Sequence, residues 1–307
     1  MAGSPSRADV LRDRAGARPL PTGARRTARS GGLRGALAQA GWWVASIGLF
    51  AAIWEFAWAV GWADPKVLPP PHLFLGDLPN QAQYFDTSQV IAGEEARGVA
   101  WGVLHSIGAT ILRVLVGLAL GFVLAVLVGI GTRYFRLFGK LVLPSVTLLA
   151  PVSPLAWLPI AIYTFGTGNG PAVFLVFVAV FFIIVLATIS EIDSVSPTYL
   201  NVARIMGASR AQTYLLVILP AILPGLFMIL RLNLFAAWMI VLIAESAGVG
   251  SGLGQVIMIA RNTFNSPLVF FTIAIIGIVG YTFDSLLRQV QKRMLYWLPE
   301  GQAALGT

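Results

Sequence analysis

The chain has 307 residues, of which 57 % are hydrophobic and only 11 % charged, and its mean hydropathy is +0.79. A soluble protein carries roughly 25 % charged residues, so the composition excludes a soluble enzyme, a disordered protein and a nucleic-acid binder. The net charge of +8 is no basic binding face, because eight arginines and two aspartates in the first 34 residues supply +6 of it. With no cysteine there is no disulfide, thiolate metal site or thiol nucleophile, and two histidines, His72 and His105, argue against a histidine-based metal centre.

Residues 1–35 are rich in Arg, Gly, Ala, Ser and Pro and cannot bury enough surface to fold. A basic cytoplasmic tail, an organelle transit peptide and a twin-arginine signal around Arg25-Arg26 all fit such a segment. The apolar run that follows is too long for a signal core and more such runs come after it, which favours the disordered tail.

Charges are costly inside a bilayer, so the gaps between them locate the spans. The first apolar stretch, Gly41–Val60, contains one acid, Glu55. A second lies between Arg113 and Arg133 and starts upstream near Val103. No charge occurs between Lys140 and Glu191. As one helix that stretch would be about 75 Å long, far beyond a bilayer core of about 30 Å, so it turns back at its breaker cluster Gly166-Thr167-Gly168-Asn169-Gly170-Pro171. Pro220–Glu245, interrupted by Arg231, and Pro267–Phe283 complete the set. The sequence predicts an all-α membrane protein with six spans at about 38–62, 101–130, 138–165, 171–190, 218–245 and 266–287, within a membrane domain over 36–299. Residues 300–307 form a C-terminal tail.

With the N-terminus inside, three basic residues (Lys66, Arg97, Arg261) fall outside and all the other loop and tail cations fall inside. This asymmetry puts both termini in the cytoplasm and requires an even number of spans. The connection 63–99 holds five acids and the run Leu68-Pro69-Pro70-Pro71, expected to be extended. Gly117 and Gly121 form a GxxxG pair suited to close helix packing. Trp42, Trp43, Trp62, Tyr296 and Trp297 sit where interfacial anchors belong.

The segment 191–220 joins spans four and five. Ser196-Pro197 is a helix start, an N-cap followed by proline at the first helical position. The helix can run to Met206, Gly207 permits a positive φ, and Ser209 can cap a second helix entering the membrane. Ala203, Gly207 and Ala208 would make a small-residue corner facing the cytoplasm. Tyr199, Val202, Ile205 and Met206 would offer a docking ridge, although a plain connector satisfies the same physics.

The stretch Asn201–Pro220 resembles the EAA loop of ATP-binding cassette (ABC) importer permeases: E-A-A, three residues, Gly, nine residues, then I-x-L-P. Here Asn201-Val202-Ala203 is followed after three residues by Gly207 and after nine more by Val217-Ile218-Leu219-Pro220. Asn201 and Val202 depart from the family's Glu and Ala. Trp54-Glu55, Leu68-Pro69-Pro70-Pro71, His105-Ser106 through Arg113 to Gly117, Pro154–Pro159, Gly225 to Glu245 and Gly252-Leu253-Gly254 resemble the nitrate/sulfonate/taurine/bicarbonate branch.

The resemblance implies a type I importer permease of MetI-like fold in a bacterial inner membrane, no enzyme itself. It implies a second permease copy, two cytosolic ATPase subunits that carry ATP and Mg, and an extracytoplasmic substrate-binding protein. Asn201, Val202, Ala203, Gly207, Ala208, Ser209, Leu219 and Pro220 would couple to the ATPase. No nucleotide site is visible in this chain; Gly131 to Lys140 lacks the Walker spacing. A non-anionic cargo such as a thiamine precursor stays open within the family. Outside it, a secondary transporter would need an ion relay and usually an inverted repeat, neither of which is visible, and a non-transporting scaffold would leave the loop spacing a coincidence.

Polar groups inside spans are functional suspects. Arg113 and Glu55, in neighbouring spans, are expected to neutralise each other as a structural ion pair, with a role in the transport path as the alternative. Arg231 and Glu245 lie too far apart along one helix to pair. Arg231 either attracts an anion or is satisfied by lipid or a neighbouring helix, and Glu245 would be an outer gate or a contact for the binding protein. Ser153, Trp157, Arg231, Trp238 and Glu245 are the candidate path residues.

Overall fold

The computed structural model describes residues 32–62, 64, 66–76, 78–91, 98–247 and 249–294. The expected 1–35 tail lies outside the described residues as far as position 31, and residues 32–35 already belong to the first helix. Tyr296, Trp297 and the C-terminal tail also lie outside them.

The chain divides into two compact units, 1–56 and 57–307. The first contributes most of α1 (Gly32–Ala59). Its sequence has no proline, and Gly41–Ala59 is long and apolar enough to cross a membrane. In the second unit, Gly61 at φ 80° ends the helix, with its N–H donating to Trp58 O and the Trp62 N–H to Ala57 O.

The connection after α1 is more structured than its prolines suggest. Residues 68–70 are non-helical, but Pro71 opens α2 (Pro71–Gly76), because proline is pre-set for the first helical position. α3 (Leu78–Ile91) follows. Phe85 is fully buried and meets Phe271 edge-on at 6.0 Å, and Asn265 donates to Gln81 at 3.1 Å.

α4 (Val99–Tyr134) is the longest single α-helix among the described residues. After it come α5 (Arg136–Leu149), a 3-10 turn (Pro154–Trp157) and α6 (Leu158–Phe165). α5 meets the Pro154–Phe165 arm at 101°, so the third expected span is broken where Ser153-Pro154 interrupts it. The breaker cluster does form the hairpin: Gly166 and Gly168 have φ of 72° and 122°, and α7 (Asn169–Ser194) starts directly after them. The corner helix α8 (Pro197–Ile205), a single turn α9 (Arg210–Gln212), a π-helical segment (Thr213–Ile218) and α10 (Leu219–Ser246) lead back across. α11 (Leu253–Asn262) and α12 (Ser266–Met294) end the described chain. Among the described residues five helical stretches are long and apolar enough to cross a membrane, and six if the bent pair counts as one span.

The core lies between α4, α7 and α10, which pack together most extensively. Val114, Ala125, Leu175, Val176, Ile184, Ala237 and Val241 are completely buried there. In lipid such packing rests on close van der Waals fit, because tails are as apolar as leucine. Gly117 supplies that fit: a Cβ there would sit 2.6 Å from Val176 Cβ.

Candidate functional site

Two constructions stand at opposite ends of the bundle. At one end, α8 is closed by local chemistry on both sides. Ser196 Oγ accepts from Thr198 N at 3.3 Å, with Pro197 at the first helical position. The helix ends where Gly207 takes φ 72°: its N–H donates to Arg204 O at 3.1 Å and the Ala208 N–H to Ala203 O at 3.0 Å, a Schellman pair. Two residues later a capping box opens the next helix. Gln212 N donates to Ser209 Oγ at 3.3 Å, and Ser209 N to Gln212 Oε1 at 2.8 Å.

The corner is tied to the spans. Ile218, Ile222 and Leu226 form a buried cluster against which Leu200, Tyr214, Ile192 and Val195 pack. Tyr214 also meets Tyr134 edge-on at 5.2 Å, and Arg133 is paired with Asp193. The side chains left outside this anchorage are Tyr199, Val202, Ile205 and Met206, and Ile205 and Met206 are 85 % and 81 % exposed. The exposed ridge is thus present. Ala203, placed by sequence on the outward corner, is instead the buried residue of α8, a helix that packs against the neighbouring π-helical segment.

At the other end, Arg113 of α4 is buried in a polar cluster. Its Nη1 donates to Glu245 Oε1 at 2.6 Å and to Ser251 O at 2.8 Å, its Nη2 to Ser251 Oγ at 2.6 Å, and its Nε to Asn169 Oδ1 at 2.8 Å. Thr110 Oγ1 lies 2.9 and 3.0 Å from the two Glu245 oxygens and accepts from Leu253 N at 3.0 Å. Gly254 N donates to Glu245 Oε2 at 3.0 Å. A side chain at Gly252 would collide with the Glu245 carboxylate. A cavity of about 470 Å³ opens beside Arg113, walled by Leu112, Val116 and Val173 and reached by His105, Asn169 and Ser251.

Residues 117–296 match the family described as binding-protein-dependent transport system inner membrane component. The chain belongs to that family. The permease is 36 % identical over 195 residues to a probable ABC transporter permease protein of Brucella melitensis, covering 64 % of this chain and 79 % of that one. It is 29 % identical over 260 residues to the taurine transport system permease protein TauC of Escherichia coli, covering 84 % and 90 %. Against the nitrate import permease protein NrtB of Synechococcus elongatus the identity is 28 % over 254 residues, covering 81 % and 87 %. Among solved structures, an inward-facing conformation of the MetNI methionine ABC transporter superposes with a TM-score of 0.53 at 18 % identity, covering 65 % of this chain and 97 % of that one. That likeness shows the MetI-like fold.

Asn201, Val202, Gly207 and Ser209 are exposed at the corner, Ala208 is half-buried, and Leu219 and Pro220 are half-buried at the start of α10. The expected Arg113–Glu55 pair is replaced by Arg113–Glu245, since α4 brings Arg113 against the end of α10. Glu245 is 0 % exposed, so it is no accessible contact for a binding protein. Arg231 donates from Nε to Asp284 Oδ1 at 3.0 Å, and Asp284 also pairs with Arg288 at 2.8 Å, so a neighbouring helix satisfies Arg231. Trp238 is buried against Phe283, Trp157 packs on Phe174 and Phe182, and Ser153 is exposed. None of these five lines the cavity beside Arg113.

Sequence reasoning missed Thr110, Asn169 and Ser251, which complete the Arg113 cluster. Nothing local marks a Thr, Asn or Ser as the partner of a distant charge. Gln212 was missed as well, although there a signal exists: Ser209 followed three residues later by Gln is a capping-box signature.

Proposed function

We propose that this permease imports a small anion of the nitrate, sulfonate/taurine or bicarbonate class, driven by ATP hydrolysis in partner subunits. The observation that carries the reading is the Ser196–Gln212 corner: two capped helices meeting at Gly207, with an apolar ridge left open for another protein. A rigid, exposed bend of this kind can receive force without melting. Two cytosolic ATPase subunits holding ATP and Mg would grip the corners of two permease copies. A binding protein would deliver cargo at the opposite end. Both termini and the corner would be cytoplasmic, in line with the charge asymmetry of the loops.

The anion class is supported by the taurine and nitrate permeases among the relatives. The experiment is uptake into liposomes holding the permease, its ATPase and its binding protein, with nitrate, taurine, alkanesulfonates and bicarbonate offered in turn. ATP-dependent accumulation of one of these anions is expected. Accumulation by the permease alone, without the ATPase, would overturn the reading.

A further inference from the structure

The Arg113 cluster gathers parts of the chain that are remote in sequence. Arg113 and Thr110 come from α4, Glu245 from the last turn of α10, Asn169 from the first residue of α7, and Ser251, Leu253 and Gly254 from the turn into α11. All lie at the end of the bundle away from the Gly207 corner. Both charges are almost wholly removed from solvent, with side-chain exposures of 5 % for Arg113 and 0 % for Glu245.

The cluster is also nearly saturated, with four of the five guanidinium N–H groups bonded. Both Glu245 oxygens have partners, and three of the guanidinium nitrogens' bonds go to groups besides Glu245. Backbone shape holds it: Gly252 at φ 107° passes over the Glu245 carboxylate, and Gly254 lies too close to Leu242 O to carry a side chain. Pulling the pair apart would strand a charge in a low-dielectric interior. A moving gate is built from groups that exchange partners at little cost; these groups have no such freedom.

We propose that Arg113 and Glu245, with Thr110, Asn169 and Ser251, form a permanent clasp that stays closed throughout transport and binds α4, α7, α10 and the start of α11 into one rigid body. Arg113 and Glu245 are positioning residues. They carry displacement of the Gly207 corner to the far end of the bundle instead of opening there themselves. The inference rests on the transport reading above, but its first readout does not.

The chain has no cysteine, so the pair Thr110→Cys/Leu253→Cys would be the only thiols in the permease. Oxidation should join them in the assembled transporter, seen as loss of maleimide labelling, whether the complex is nucleotide-free or held with a non-hydrolysable ATP analogue. Import by the oxidised complex should stay within about threefold of the reduced complex, as a clasp that never opens requires. A second variant, Arg113→Met/Glu245→Met, removes both charges together and so strands neither. It should keep ATP hydrolysis while lowering solute imported per ATP by about tenfold.

Failure of the disulfide to form in either state, or import that stops on oxidation and returns on reduction, overturns the clasp. So does an unchanged import ratio in the double-methionine variant. Should that variant fail to assemble, the disulfide alone decides. Lack of import by the parent complex would count against the transport reading and leave the labelling result standing.

Discussion

Arg113 and Glu245 are 132 residues apart in sequence, yet the guanidinium Nη1 sits 2.6 Å from the carboxylate where almost no solvent reaches either group. Loss of one partner leaves the other charge buried alone, which costs roughly 3–5 kcal/mol, whereas replacing both with apolar groups is close to neutral. Arg113→Met should therefore destabilise the detergent-solubilised permease by about that amount, and Arg113→Met/Glu245→Met by much less. Thermal unfolding of the two single variants and the double gives the coupling; additive losses would contradict a direct pair.

Gly207 holds φ 72°, a conformation that other residues adopt only with strain. Open space surrounds it, so the penalty for a side chain is conformational. Gly207→Ala should cost about 1–2 kcal/mol locally, and Gly207→Asn less, because Asn tolerates this region. Gly207→Asp adds a charge on the corner and should abolish copurification of the ATPase. Retention of both docking and uptake in Gly207→Asp would refute the role given to the bend.

The capping box makes a separate prediction. Ser209→Ala removes the acceptor of Gln212 N and should lower the stability of the turn by about 1 kcal/mol. Gln212→Ala removes the reciprocal bond to Ser209 N. Amide exchange over 210–213 should speed up in each variant while exchange in α7 stays unchanged.

Ile205 and Met206 are exposed and outside the buried cluster that anchors the corner. Ile205→Glu and Met206→Glu should leave folding within about 0.5 kcal/mol of the parent. Each should weaken ATPase binding, measured by copurification. Wild-type yield of the complex from both would show that the ridge carries no contact.

Gly117 meets α7 where a Cβ would press on Val176. Gly117→Leu should separate α4 from α7 and cost about 1–3 kcal/mol through overpacking. Gly108, with open space around its α-carbon, should accept alanine without loss, as thermal unfolding can check.

The sequence by itself determined what depends on short range. Spacing between charges marked out the apolar stretches, because desolvation of an ion is paid wherever it falls in the bilayer. Ser196-Pro197, Gly207 and Ser209 defined the corner, because caps and a positive φ are set within a few residues. The turn at 166–170 followed from its glycines for the same reason. Proline at 71 was legible only in part, since the residue that forbids a helix interior also favours a helix start.

Only the tertiary structure decided which acid neutralises Arg113. Glu55 and Glu245 are both carboxylates in apolar stretches, and burial demands a partner for the arginine without naming one. The choice fell to Glu245 because α4 packs where α10 ends and where Gly252 and Gly254 let the backbone close over the carboxylate. The burial of Ala203 was settled in the same way, by tertiary packing that no local signal in α8 announces.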